Sequence, residues 1–190
     1  SEFYNRSVEM MGRDKARDIW AFTVENVREL GEFACSVPLD LAYARTGYLA
    51  CAQSSQERKE LERSVQLLRE DGFMSEFWTA DQLTKRYGAS PFLGARYCPD
   101  DAQIHPAKLV WAILREYQNN GGQLVSQTSV NSVESKGEAF AVETDLDQIE
   151  CSMVVHCTNA WTAELLPVFK DKIVAVRGQM MSSERLHRVF

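Results

Sequence analysis

Pro106-Ala107-Lys108-Leu109-Val110-Trp111-Ala112-Ile113-Leu114-Arg115-Glu116-Tyr117-Gln118-Asn119-Asn120-Gly121-Gly122 is the stretch whose reading decides the fold. Its proline suits a first helical turn, where the missing N–H costs nothing. Leu109, Val110, Ile113, Leu114 and Tyr117 recur at helical spacing and make one apolar face. The Asn-Asn-Gly-Gly ending is a strong helix stop. Strand-like runs follow at residues 123–127, 129–134, 139–144 and 149–156, with Gly137 marking a short hairpin turn between the second and third. Helix, strand, hairpin, strand in that order predicts an α/β sheet with an antiparallel excursion, not a sandwich or a bundle.

Working outward toward the start, residues 8–34 carry Ile19, Phe22, Val27, Leu30 and Phe33 near helical spacing, with no proline between them. They read as one long helix or two in succession. Residues 37–52 read as two short strands, with Gly47 at a bend or bulge. Ser54 or Ser55 can cap the next helix, because a serine oxygen accepts an orphan N–H of its first turn. That helix carries Leu61, Val65 and Leu68 on one stripe and ends near Asp71-Gly72. A short helix starts at Thr79-Ala80-Asp81-Gln82 and stops by Gly88, and residues 91–101 read as loop and short strand. Toward the end, Cys157-Thr158-Asn159-Ala160-Trp161-Thr162 breaks the last strand-like run. Residues 172–181 read as a further strand, interrupted by Arg177-Gly178-Gln179.

The chain has 190 residues, 45% of them hydrophobic and 25% charged, enough for one large domain or two small ones. Its formal charge of -6 offers no basic stripe for phosphates, which argues against a nucleic-acid partner. No apolar run reaches the roughly 18 residues of a membrane span, and the opening residues lack the pattern of a secretory signal. Five cysteines are spread without a CxxC, and three histidines match no zinc spacing. The cysteines read as reduced, small apolar side chains in a cytoplasmic compartment, and no metal site is expected.

Four stretches together resemble the family of flavin-dependent amine and amino-acid oxidoreductases that includes D-amino acid oxidase, glycine oxidase and sarcosine oxidase. They are Asp101-Ala102-Gln103-Ile104-His105-Pro106 with Gly121-Gly122-Gln123-Leu124-Val125, then Thr128-Ser129-Val130-Asn131-Ser132-Val133, then Val154-Val155-His156-Cys157-Thr158-Asn159-Ala160-Trp161, and last Val174-Ala175-Val176-Arg177-Gly178-Gln179-Met180. Thr46-Gly47-Tyr48-Leu49 is similar to the family's glycine-containing strand after its long helix. The resemblance implies an incomplete FAD-binding α/β domain plus part of a mixed-sheet substrate domain. Residues 1–100 would be the first part of the substrate-type domain with its leading helix, 101–170 part of the FAD-binding domain, and 171–190 the start of the return. It also implies that residues 123–134 and 154–157 are strands of one sheet, and that 43–51 and 174–181 lie together in another.

A dinucleotide site needs a glycine-rich turn running into a helix N-terminus, so that backbone N–H groups can meet the pyrophosphate. No GxGxxG is present. The chain therefore reads as an interior piece of a longer protein lacking both ends, with no stoichiometric FAD expected on this piece alone and the missing segments of its own chain as partners. The resemblance implies a backbone contact of Val130 with the adenine end of FAD, and cofactor proximity for Thr158, Asn159, Ala160 and Trp161. Asn159 stands where family members carry glycine. Val130 otherwise reads as sheet packing, and Trp161 as a wedge against a helix. Arg177 and Gln179 are substrate-side candidates, against a sheet-edge ion pair and a solvated strand face. His105 belongs to a helix start and His156 to a strand, and no catalytic residue is assigned. The implied activity is oxidation of an amino acid or secondary amine by hydride transfer to flavin. The alternatives are a non-catalytic fragment or pseudo-enzyme serving as a binding or scaffold module, and a different two-domain flavoprotein.

Overall fold

The structure, a computed structural model, describes residues 3–88, 91–176 and 178. Two compact units divide between Gly121 and Gly122. The first opens with α1 (Tyr4–Met11) and α2 (Arg13–Ser36), so the leading apolar stretch forms two helices. Gly12 separates them at φ +86, a left-handed angle that glycine adopts without a Cβ penalty. β1 (Tyr48–Ala52), α3 (Ser55–Glu70), β2 (Glu76–Thr79), α4 (Ala80–Tyr87), β3 (Gly94–Cys98) and α5 (Pro106–Asn119) follow.

Local chemistry sets the helix starts. Ser54 Oγ accepts the Glu57 N–H at 3.2 Å. Thr79 and Gln82 form a reciprocal capping box, each side chain bonding the other's backbone N–H. Pro106 occupies the first turn of α5, and His105 Nδ1 accepts the Lys108 N–H at 3.4 Å. The helix start is thus the role that His105 plays.

The first sheet has strand order β1-β3-β2 and is antiparallel at both pairings. Residues 94–98, expected as loop and short strand, are its central strand. The strand expected before β1 is reduced to a bridge between Ala44 and Gln103. Period-two alternation divides the sheet faces. Ala95 and Tyr97 meet Trp78 and Leu83 on the side of α4. Arg96 faces the opposite way, toward Trp20 of α2. There Tyr4, Ala16, Leu67 and Leu68 form a second core cluster. Polar contacts lock α1 and α2 onto α3. The Tyr4 hydroxyl donates to Asp71 at 2.7 Å, Arg13 Nε donates to the same carboxylate at 2.8 Å, and the Ser64 hydroxyl donates to Asn5 Oδ1 at 2.7 Å.

The second unit is built on β4 (Val130–Lys136), β5 (Ala139–Thr144) and β6 (Gln148–Cys151), an antiparallel meander with Gly137 at φ +68 in its first turn. The one-turn helix Thr162–Leu165 packs against β4. Three strand expectations are corrected. Residues 123–127, 154–157 and 173–176 join neither of the two sheets among the described residues, because a strand exists only where a neighbour completes its hydrogen-bond ladder. Their alternation of side chains is strand-like, but they form no ladder with either sheet. The sheet expected to join residues 43–51 with 174–181 falls in part on residues 177 and 179–181, which lie outside the described residues. Among the described residues no helix is long and apolar enough to cross a membrane.

Candidate functional site

In the second unit, β4 begins at Val130, which is exposed and pairs with Thr144 beside a register shift. The bend after residues 152–157 is a single 3-10 turn, Asn159–Trp161, closed by the Trp161 N–H donating to the Thr158 carbonyl at 3.0 Å. The Thr158 and Thr162 hydroxyls lie 2.9 Å apart. Asn159 has φ +46, the left-handed region that asparagine tolerates better than most residues. Since Thr162–Leu165 packs on β4, the helix that follows the bend lies against the strand that Val130 begins. Ala160 sits within the turn. Trp161 is 67% exposed, so the wedge packing expected of it is absent. Arg177 and Gln179 lie outside the described residues.

The first unit contains a constellation that the sequence reading missed. A cavity of about 630 Å³ lies between α1, α2 and the sheet, walled by Tyr4, Trp20, Phe73, Arg96 and Asp101 among others. Gly47 borders it at φ +71, and a Cβ there would run into the Tyr97 ring. The Gly47 N–H donates to the Asp101 carbonyl at 2.9 Å, and Ala44 and Gln103 exchange two backbone bonds, so residues 101–103 close one side.

Arg96 is 4% exposed, and its Nε and Nη1 have no hydrogen-bond partner. Its guanidinium carbon stands 5.1 Å from the centroid of the Trp20 ring. Burial pushes the Asp101 carboxyl above its ordinary value, Arg96 counters that, and the neighbouring Asp100 adds to it. Asp100 itself is held by Arg45 at 2.8 Å. Burial likewise raises the Cys98 thiol, which leaves it protonated and a poor nucleophile. The one signal for this site in the sequence is an arginine between Ala95 and Tyr97, in a run of otherwise small or apolar residues.

Glycine oxidase from Geobacillus kaustophilus shares the fold at a TM-score of 0.62 and 23% identity, over 78% of this chain and 39% of that one. L-proline dehydrogenase from P. horikoshii does so at 0.66 and 20%, over 78% and 41%. The family model described as DAO, FAD dependent oxidoreductase, matches residues 6–189, and the chain belongs to that family. The mouse mitochondrial pyruvate dehydrogenase phosphatase regulatory subunit is 32% identical over 131 residues, covering 67% of this chain and 15% of that protein. The chain thus spans about two fifths of these solved structures and a smaller share of the mouse relative.

Proposed function

We propose that the whole protein is an FAD-dependent oxidoreductase that oxidises an amino acid or a secondary amine by hydride transfer to the flavin. Family membership supports the cofactor class, and one observation carries the local reading. Asn159 adopts a left-handed angle, the backbone that the family resemblance would assign to a glycine at this bend. A bend that keeps this angle keeps the backbone course that lets a cofactor approach. The Val130 backbone would hold the adenine end, with Thr158, Asn159, Ala160 and Trp161 beside the cofactor and Arg177 and Gln179 toward the substrate. The flavin, when bound, supplies the electron acceptor, while protein groups supply position and electrostatics. In this reading residues 1–100 and 171–190 belong to a substrate-type domain, residues 101–170 to the FAD-binding domain, and the protein works in the cytoplasm.

The test is FAD titration of the full-length protein and its Asn159→Gly variant. The variant is expected to bind with an equal or lower Kd, because the change removes a side chain at a backbone angle that glycine already favours. A marked loss of affinity would show instead that the asparagine side chain makes a contact of its own.

A second reading has its own support. The mouse relative, 32% identical, carries the name of a regulatory subunit. A non-catalytic regulatory or scaffold protein on the same fold would retain the bend and bind flavin without reducing it. Anaerobic mixing of the flavin-loaded protein with amino acids and N-methylated amines separates the two. Bleaching of the flavin absorption supports the enzyme, and an unchanged spectrum with every amine supports the regulatory reading.

A further inference from the structure

A buried guanidinium with two unpartnered nitrogens is a costly arrangement. Removing a charge from water is repaid only when hydrogen bonds and an opposite charge replace the solvent. Arg96 has the Trp20 ring face at 5.1 Å, which offsets part of that cost. No carboxylate among the described residues comes within ion-pair distance of it, although Asp101 feels its field. Arg96 is one of the residues that wall the cavity of about 630 Å³, a volume within the usual range for small-molecule sites, while its Nε and Nη1 are sealed beneath the surface.

The rest of the lining limits what can sit there. Met11, Ile19, Trp20 and Phe73 give apolar walls, and Arg96 is the sole cation among the lining residues. Asp100 and Asp101 lie on the same wall, and a second negative charge on the ligand would be repelled by them. That disfavours a phosphate dianion and suits a single carboxylate on an apolar body.

We propose that this cavity is a binding site for a small monocarboxylate with an apolar tail, whose carboxylate pairs with Arg96 while its tail lies against Trp20 and Phe73. The site lies wholly within the first unit, and it goes beyond the flavin reading, which concerns the second. A guanidinium on a cavity wall is the side chain best suited to pair with a planar carboxylate. Trp20 reports occupancy directly because its ring lies under the guanidinium.

The experiment uses the full-length protein, with hexanoate as probe and hexanamide and inorganic phosphate as controls, read by tryptophan fluorescence. Hexanoate is expected to change the emission saturably, and hexanamide to bind at least about tenfold more weakly, the worth of a charge-assisted hydrogen bond. Trp20→Phe should remove the signal, and Arg96→Met should abolish hexanoate binding while circular dichroism shows the fold retained. Asp101→Asn gives a second readout that leaves Arg96 intact: loss of its negative charge should tighten hexanoate about threefold, as expected of a partly screened neighbour. Equal binding of hexanoate and hexanamide would mean an apolar hole only, and overturns the proposal. So does phosphate binding as tight as hexanoate, which would mark a different anion class. Absence of any saturable response would mean that another part of the protein already holds Arg96, and overturns it too. None of these readings depends on flavin, so the visible spectrum of the same sample shows separately whether the oxidoreductase reading stands.

Discussion

Leu68 on α3 and Val155, in the stretch that leads to the Asn159 bend, are both apolar residues set at spacings that mark a buried face. The first is fully buried and the second is 75% exposed. The same contrast runs through the two units. In the first, α3 packs on all three strands, and Leu41, Leu61, Leu83 and Ala95 are sealed from solvent. In the second, Ala141 is the one buried apolar residue among those described, while Leu124, Val125, Met153 and Val155 stand exposed. Periodicity encodes which face of an element is apolar, but burial requires a second element to cover it. The sheet of the first unit carries its own cover in helices, although Val110, Trp111 and Ile113 of α5 stand exposed. The second is a meander with a single one-turn helix against β4.

The largest effect that can break this comparison is a cavity in the first unit. Leu68→Ala should lower its stability by about 2–5 kcal/mol, the range for deleting a buried leucine side chain. Urea unfolding followed by far-UV circular dichroism measures it. A loss below about 1 kcal/mol, well short of that range, would mean that this core is no better packed than the second unit and that the contrast is unreal.

A smaller effect sharpens the comparison through charge. Asp71 joins α1, α2 and α3 by accepting from the Tyr4 hydroxyl and from Arg13. Burial alone would push its carboxyl up, but the Tyr4 hydrogen bond and Arg13 outweigh that and hold it below the ordinary carboxylate value. A depressed folded value means that its stabilisation is present above the unfolded pKa and is lost as pH falls through the folded one. Tyr4 runs the other way. Burial, then the bond to Asp71, raise its hydroxyl, so its contribution is present below the ordinary 10.0 and is lost as pH climbs through the raised folded value. Asp71→Asn should cost about 1–3 kcal/mol at neutral pH, as for hydrogen bonds to a charged group, with salt trimming the share from half-exposed Arg13. The gap between variant and parent should close as the solution is acidified. Parallel stability–pH curves for the two would show that Asp71 is not the coupling group.

How much was legible follows from the range of each interaction. Ser54, Thr79, Gln82, Pro106 and Gly121 act within one helical turn, so the starts of α3, α4 and α5 and the stop of α5 could be read from the residues themselves. The Gly137 hairpin is equally local. The four family-like stretches also led to the flavin-dependent family, and the left-handed angle at Asn159 agrees with asparagine's tolerance of that region. What could not be read depends on distant partners. The ladders expected for residues 123–127, 154–157 and 173–176 need neighbours that alternation does not name. Arg96 stands beside Trp20 only because β3 runs centrally between β1 and β2 and turns that side chain toward α2. No spacing in the sequence joins those two residues. Its one trace was an arginine placed where an apolar strand residue would have been unremarkable.

The smallest expected effect is the most discriminating. Val155→Ala in the 190-residue chain should change stability by no more than about 0.5 kcal/mol, because an exposed side chain loses little when shortened. That near-silence is a statement about cover and not about the residue. Residues 154–157 keep a β-branched, strand-like pattern, and β-branched side chains stabilise a strand chiefly by packing against neighbours on its faces. If the second unit gains a sheet partner in the full-length protein, the same substitution there should cost about 1 kcal/mol or more, the scale of burying the removed methyl groups. Thermal or urea melts of both forms, each with and without the change, measure the difference. Equal small costs in both forms would show that residue 155 stays exposed in the whole protein, and that the contrast between the two units is intrinsic to the fold. A large cost in the short chain itself would mean that the second unit already packs this segment, and that it is no less sealed than the first.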